Sequence, residues 1–458
     1  MKKLSFYVAL FAAKCAQLAM QILGRNATYL PGKIAVRLCK DFLGYLTPPK
    51  TVIAVTGTNG KTTVSNLVAS ILKENGYSIT NNSFGSNVQA GVISALIADS
   101  TFGGKPKKDI AVLEVDERSS LLIYPYLKPN FLICNNLMRD SMKRNAHTEF
   151  IQYIINKALP ESTTLILNAD DLIASGLGTK SQKKIFFGIE AEKPEVYKAQ
   201  HITDIVYCPE CGHVLEHEYV RYNHIGRHYC PNCTLTSPKP NFVVTAIDRE
   251  NQNFTISCNG DAHTFTLIND NIVNVYNFAS AIALLTTLGL NTEQISKGFS
   301  QSKIVKTRLD EVKVNDLSIT MLMAKGQNPI ACSRCIDYVS VSNANNKGVI
   351  IAIDDRDDNT NNSENMAWIY DCDYAALKDP RIKQIVFYGP RCKDHYLRSL
   401  LAGVEESKIQ LTTDVTEAAK LLDTTLCKNI FVLHDLYRVA DASTIKNALV
   451  AIGKGEAI

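Results

Sequence analysis

No charge of either sign dominates this chain. Across 458 residues, 49 lysines and arginines face 45 aspartates and glutamates, a net charge of +4. The charges are dispersed, and no stripe of basic and aromatic residues stands out, so the electrostatic footprint of a nucleic-acid-binding protein is missing. The densest basic run, Lys105-Pro-Lys-Lys108, reads as a solvated loop. Long apolar runs are scarce too. Behind Lys2-Lys3 the stretch from Leu4 to Leu23 imitates a secretory leader, but Lys14 and Gln17 interrupt it. It predicts an amphipathic helix within residues 1–24, packed on its domain or resting on a membrane surface as a peripheral contact, with a signal peptide as the third reading. No other segment is apolar over a bilayer's thickness, and a cytoplasmic protein is expected. Internal repeats are absent, and the one biased tract is the Asp/Asn-rich run 354–362. The 13 cysteines are odd in number and scattered, which does not make a disulfide framework. With metal-type spacing in four of them, they point to a reducing compartment.

What is present is an ordinary globular composition, 46% hydrophobic and 21% charged, on a chain long enough for two or three domains. Thr51-Val-Ile-Ala-Val-Thr56 is β-branched and apolar, and Val64, Leu67, Val68, Ile71 and Leu72 recur at helical spacing. Between this strand and helix stand Thr56, Gly57, Thr58, Asn59, Gly60, Lys61, Thr62 and Thr63. Glycines on a strand-to-helix turn let backbone N–H groups approach an anion, and the helix N-terminus adds partial positive charge. Lys61, read as exposed on the turn, would reach the terminal phosphates, and the Thr62 hydroxyl would complete the shell of a Mg²⁺ ion. A nucleoside triphosphate is the expected ligand. Gly57 and Gly60 stand closer together than the glycines of the usual G-x-x-x-x-G-K-[ST] loop, with Thr56 where the first glycine normally stands.

Beyond the loop, short apolar strands alternate with amphipathic helices: Asp109–Val115, Phe131–Cys134 and Thr164–Asn168 read as strands, and Asn274–Gly289 as a helix. That alternation predicts an α/β fold with a parallel sheet, which binds ligands at the carboxyl ends of its strands. Glu114, near such an end, is a candidate Mg²⁺ partner. Residues 201–241 change character to Cys, His, Tyr and Pro and read as a small insertion. Cys208, Cys211, Cys230 and Cys233 form two Cys-x-x-Cys pairs about twenty residues apart, the knuckle pattern of a closed, structural Zn²⁺ site. His224 and His228 beside them read as structural rather than as ligands, and Cys332 and Cys335 as unrelated thiols. A second α/β region follows, with strands expected at Gly348–Ile353, Gln384–Tyr388 and Asn429–Leu433. The boundary is placed between residues 303 and 304, giving domains 1–303 and 304–458. Arg308 is placed to reach a triphosphate from the second domain. Asp371, after the acidic run and three residues beyond Trp368, stands beside aromatic residues able to bury and orient it.

Together, "TGTNGKTT", a Glu-bearing strand, "LNADD" and "NVYN" resemble the ATP-dependent Mur ligases of peptidoglycan synthesis. The four-cysteine insertion, "YLPGKIA", "WIYD" and "FYGPRCKDHYLRSLLAGV" narrow the resemblance to the MurT subfamily of ligase-like subunits, over nearly the whole chain. The resemblance implies a Mur-ligase-like central domain carrying the P-loop and a zinc-ribbon insertion, followed by a C-terminal α/β domain. It implies ATP and Mg²⁺ as cofactors, structural Zn²⁺, and lipid II as substrate. In such a reaction the α-carboxyl of D-glutamate in the stem peptide is phosphorylated, and ammonia converts the acyl phosphate to D-isoglutamine. The ammonia would come from glutamine through a GatD-type glutaminase partner, to which Asp371 would supply the acidic member of a triad, with Asp354, Asp355 and Asp358 as competitors. By the same resemblance Asn277, in "NVYN", lies by the adenine. The chain departs from the family at Arg139-Asp-Ser-Met-Lys-Arg144, where Lys143 replaces an acid, and at Lys325-Gly-Gln-Asn-Pro329. Two other readings are a Mur or folylpolyglutamate-type ligase that adds an amino acid, and a P-loop zinc-ribbon protein acting on nucleic acid or as a regulatory ATPase.

Overall fold

Short strands form two large sheets and one separate two-stranded hairpin, packed with helices, in the computed structural model. It describes residues 3–82, 86–140, 147–193, 203–258, 260–268, 271–301, 309–324, 326–354 and 366–456. The chain divides into two compact units. The described residues of Met1–Met138, His147–Lys198 and Asp204–Ile304 form one, and those of Arg139–Ala146, Ala199–Thr203 and Val305–Ile458 the other.

The first unit opens with helices α1 (Leu4–Ile22), α2 (Leu30–Leu38) and α3 (Phe42–Tyr45). Strand β1 (Thr51–Thr56) then runs into α4 (Lys61–Glu74), followed by β2 (Ile79–Asn81), β3 (Ile110–Glu114), β4 (Phe131–Cys134), β5 (Thr164–Asn168) and β6 (Lys184–Ile189). The hairpin β7 (Glu216–Tyr222) and β8 (Ile225–Tyr229) precedes a meander of β9 (Phe242–Asp248), β10 (Asn253–Cys258) and β11 (Asp261–Thr266). The main sheet has nine strands in the order β11-β10-β9-β6-β5-β4-β1-β3-β2. From β2 to β6 every pairing is parallel, and β9 joins β6 in parallel before the antiparallel β9-β10-β11 edge. The strands expected in this unit lie within a residue of their observed limits. The meander was not foreseen: its alternate burial, Phe254 and Ile256 in with Thr255 out, is a period-2 signal carried by short, polar-flanked stretches.

In α4 the five apolar residues at helical spacing are all buried, which seats its N-terminus at the carboxyl end of β1. The helix Ile272–Thr287 is buried on every side from Val275 to Leu285 and forms the centre of the unit behind the loop. Among the described residues, α1 alone is long and apolar enough to cross a membrane by length and composition. Its Phe6, Ala9, Leu10 and Ala13 instead pack into the core with Phe42 and Ala35. Lys14, which interrupts the apolar run, donates from Nζ to the carbonyls of Ile97 and Ser100, both at 2.8 Å.

The second unit is a six-stranded sheet, β12 (Leu309–Val314), β13 (Leu317–Met323), β14 (Lys347–Ala352), β15 (Ile382–Tyr388), β16 (Ile409–Thr412) and β17 (Asn429–His434). Its order is β12-β13-β17-β14-β15-β16, parallel except for the β12–β13 hairpin. Separate apolar clusters cover its two faces, which is why its strands read as continuous apolar runs. Pro329 opens the helix Pro329–Val341 and the Asn328 side chain caps it, accepting from the Ala331 N–H.

Candidate nucleotide site and four-cysteine centre

The glycine loop is fixed from two sides. Gly57 (φ +122°) and Gly60 (φ +86°) take conformations that side-chain-bearing residues rarely adopt. A Cβ on Gly57 would lie 2.9 Å from the Asn136 carbonyl oxygen, and one on Gly60 would lie 2.1 Å from Asn277 Oδ1. The segment after β4 is stitched to the loop: Thr58 N–H donates to Asn136 O (2.8 Å), Asn59 N–H to Asn136 Oδ1 (2.8 Å) and Thr58 Oγ1 to Met138 O (2.9 Å). Asn135 Nδ2 donates to Asn277 Oδ1 at 2.6 Å, which places Asn277 against Gly60. Asn135 and Asn136 were not singled out from sequence, although the rule that ligands gather at strand carboxyl ends points to them.

The residues proposed to hold phosphate and metal come together. Thr62 Oγ1 donates to Glu114 Oε2 at 2.8 Å, and Asn87 Nδ2 donates to Glu114 Oε1 at 3.0 Å. Thr63 lies half-buried on the first turn of α4. Lys61 differs from expectation. Rather than standing exposed on the turn, its side chain is 11% exposed and its Nζ lies 2.8 Å from Glu117 Oε1, itself on a side chain 3% exposed. It also donates to the Gly57 carbonyl. Glu117 was missed because only Glu114 lies on the strand. At the start of the loop, Thr56 Oγ1 is buried without a hydrogen-bond partner among the described residues, as is Asn135 Oδ1. Backbone N–H groups at a helix start, a hydroxyl on a carboxylate, a buried lysine and two unpartnered oxygens fit a nucleoside triphosphate with its divalent cation.

In the second unit, Asp371 ends the short helix Ala367–Asp371, whose Trp368 and Ile369 are buried. The carboxylate itself is 34% exposed and pairs with Arg139 at 3.3 Å, so a cation rather than aromatic burial orients it. Asp354 is an interior group: it accepts from the Arg391 N–H at 3.0 Å and lies 3.3 Å from Arg438. Asp355, Asp358 and Arg308 lie outside the described residues, as do Lys143 and Lys325.

The four cysteines converge. Their Sγ atoms lie within 4.8 Å of one another, with Cys208–Cys233 at 3.6 Å and Cys211–Cys230 at 3.4 Å. A tetrahedral zinc with Zn–S bonds of about 2.3 Å separates its sulfurs by about 3.8 Å, so the donor set fits one ion. The His213 backbone and the neighbouring thiols push the Cys211 thiol down to about 6, while at Cys233 the lowering by the Leu235 backbone is outweighed by desolvation and the neighbouring thiols, which push that thiol up to about 12. The two histidines face inward instead. His224 Nε2 lies 3.0 Å from Asp171 Oδ1, both fully buried, and His228 Nε2 lies 2.7 Å from the His224 carbonyl. Burial holds His228 neutral, its pKa pushed down to about 4. Asp171 also caps the helix Leu172–Ser175 and accepts the Leu137 N–H at 2.7 Å. Hydrogen bonds thus run from the β7–β8 turn through His224 and Asp171 to the segment that holds the glycine loop.

A parallel sheet with this loop, followed by a second α/β unit, defines the Mur ligase fold class. The family profile described as the Mur ligase middle domain matches residues 55–237, and that described as MurT ligase C-terminal matches residues 326–437. Among solved structures, a pseudomurein peptide ligase type C from Methanothermus fervidus superposes with a TM-score of 0.66 at 19% identity, covering 89% of this chain and 80% of that one. A lipid II isoglutaminyl synthase (glutamine-hydrolyzing) subunit MurT from Staphylococcus aureus (strain COL) is 30% identical over 420 residues, 91% of this chain and 92% of that protein. Its counterpart from Streptococcus pneumoniae (strain ATCC BAA-255 / R6) is 27% identical over 433 residues, 93% of each chain. The chain belongs to the MurT family.

Proposed function

We propose that this chain is the ATP-dependent ligase subunit that amidates the α-carboxyl of D-glutamate in the lipid II stem peptide, giving D-isoglutamine. The observation that carries it is the Lys61, Thr62 and Glu114 constellation in a chain collinear over 420 residues with a relative named for that synthase. The N–H groups from Gly60 to Thr63, at the start of α4, cradle the phosphates, and Lys61 turns from Glu117 to the terminal phosphates. Thr62 and Glu114 hold Mg²⁺, which supplies charge neutralisation, while Asn277 lies by the adenine. Arg308 is the proposed second cation on the triphosphate. A substrate carboxylate oxygen attacks the γ-phosphorus, and ADP leaves with the electron pair of the broken P–O bond. Ammonia then attacks the acyl carbon and loses a proton, and inorganic phosphate departs. The four cysteines hold a structural zinc with no open position.

The nitrogen source in this reading is a GatD-type glutaminase bound to the chain on the cytoplasmic side of the membrane. Asp371, partly exposed and held by Arg139, is the carboxylate proposed to fix the tautomer of the glutaminase histidine. The test is to reconstitute the chain with such a glutaminase and assay lipid II amidation by mass spectrometry. Glutamine, ammonium salts and free amino acids are offered in turn. Amidation from glutamine and ammonium supports the proposal; incorporation of an amino acid instead establishes the amino-acid-adding alternative.

A further inference from the structure

Leu4, Val8, Phe11, Cys15, Leu18 and Ile22 recur at alternating steps of four and three, so they form one stripe along the length of α1. All six are exposed, Leu4 at 80%, Phe11 at 61% and Ile22 at 77%. At about 1.5 Å per residue the stripe runs roughly 28 Å. Scattered exposed apolar residues are unremarkable, but a continuous row over a whole helix marks an interaction surface. The opposite face is seated in the core, and Lys14 pins the helix at its middle through two carbonyls, so α1 lies along the unit rather than projecting from it.

The charge around this stripe is one-sided. The first fifty residues hold eight lysines and arginines against one acid, Asp41. The other 408 hold 41 basic residues against 44 acidic. Lys3 and Arg25 stand exposed at the two ends of α1, and Lys33 and Arg37 stand exposed on α2, which packs beside it. Among the described residues no ion pair is recorded for Arg25, Lys33 or Arg37. An apolar stripe lying flat, fringed by basic residues in an otherwise slightly acidic chain, has the chemistry of a helix seated in a headgroup layer.

We propose that α1 docks this chain in-plane on an anionic lipid bilayer, apolar stripe inward and basic fringe against the headgroups. The proposal stands apart from the ligase reading, since its readout is partition and not catalysis. The full chain is floated with phosphatidylcholine vesicles, with and without phosphatidylglycerol. A triple variant, Val8→Gln, Phe11→Gln and Leu18→Gln, changes only exposed positions, and an unaltered melting curve checks its fold. The expected result is co-flotation with phosphatidylglycerol vesicles, reduced about tenfold or more by the triple variant and weakened by salt. Lys33→Gln with Arg37→Gln should weaken it too. Absence of flotation, a triple variant that floats like the parent, or equal binding to uncharged vesicles overturns the proposal. So does concentration-dependent self-association that the triple variant abolishes without any vesicle binding, which would make the stripe a face between two copies.

Discussion

Replacing Lys61 by alanine should damage folding as well as catalysis, because the loop lysine is one half of a buried ion pair. Glu117 is 2% exposed as a residue, and its Oε1 lies 2.8 Å from Lys61 Nζ. Removing the ammonium strands a carboxylate in the interior, which typically costs about 3–5 kcal/mol. Adding Glu117→Gln removes the stranded charge and should restore at least about half of the loss at pH 7, while ligation stays abolished. Urea unfolding of the parent, both single variants and the double variant measures this directly. If Lys61→Ala unfolds at the parent's midpoint, or the double variant is no more stable than Lys61→Ala, the buried-pair argument is wrong.

Purified protein should carry one zinc per chain, and Cys230→Ser should lose it and loosen the β7–β8 module; metal analysis showing neither zinc nor iron in the parent refutes the closed site. His224→Ala leaves Asp171 short of a buried partner and should cost about 1–3 kcal/mol. Because Asp171 also holds Leu137, that variant should raise the KM for ATP more than it lowers kcat, at unchanged zinc content; a pure stability loss with parental KM would sever the link. Asp371→Asn should cut glutamine-driven amidation about a hundredfold or more and spare the ammonium-driven reaction. Equal loss from both nitrogen sources assigns Asp371 to the ligase site or the fold.

What the sequence made legible was local. The strand, turn and helix around Gly57 and Gly60 follow from spacing within some twenty residues, and so does the pairing of Cys208 with Cys211 and of Cys230 with Cys233. What it hid was the partner brought from afar. Glu117 is 56 positions from Lys61 and Arg139 is 232 from Asp371, and no periodicity within one segment announces either pairing. Lys61 read as an exposed charge because a lysine on a turn usually is one. Its burial follows from Glu117, which the topology delivers beside β1. The antiparallel edge β9-β10-β11 escaped for another reason: its strands are half-buried and alternate, so they merge with polar loops on a linear reading.

The insertion is where the two kinds of information meet. From its composition it reads as an appendage, a small metal-bound module set into an α/β frame. Yet His224, on the β7–β8 turn, lies on Asp171, and Asp171 accepts the Leu137 N–H from the segment whose Asn136 and Met138 receive Thr58 and Asn59. Each of these contacts is buried or partly buried, where a missing partner is expensive and a completed one rigid. The closed thiolate centre proposed at the base of that turn would stiffen the hairpin carrying His224. Its contribution would therefore extend to the shape of the loop proposed to hold phosphate, about as directly as hydrogen bonds can transmit it. An insertion serving only its own fold would need neither a buried histidine at its tip nor an aspartate waiting beneath it.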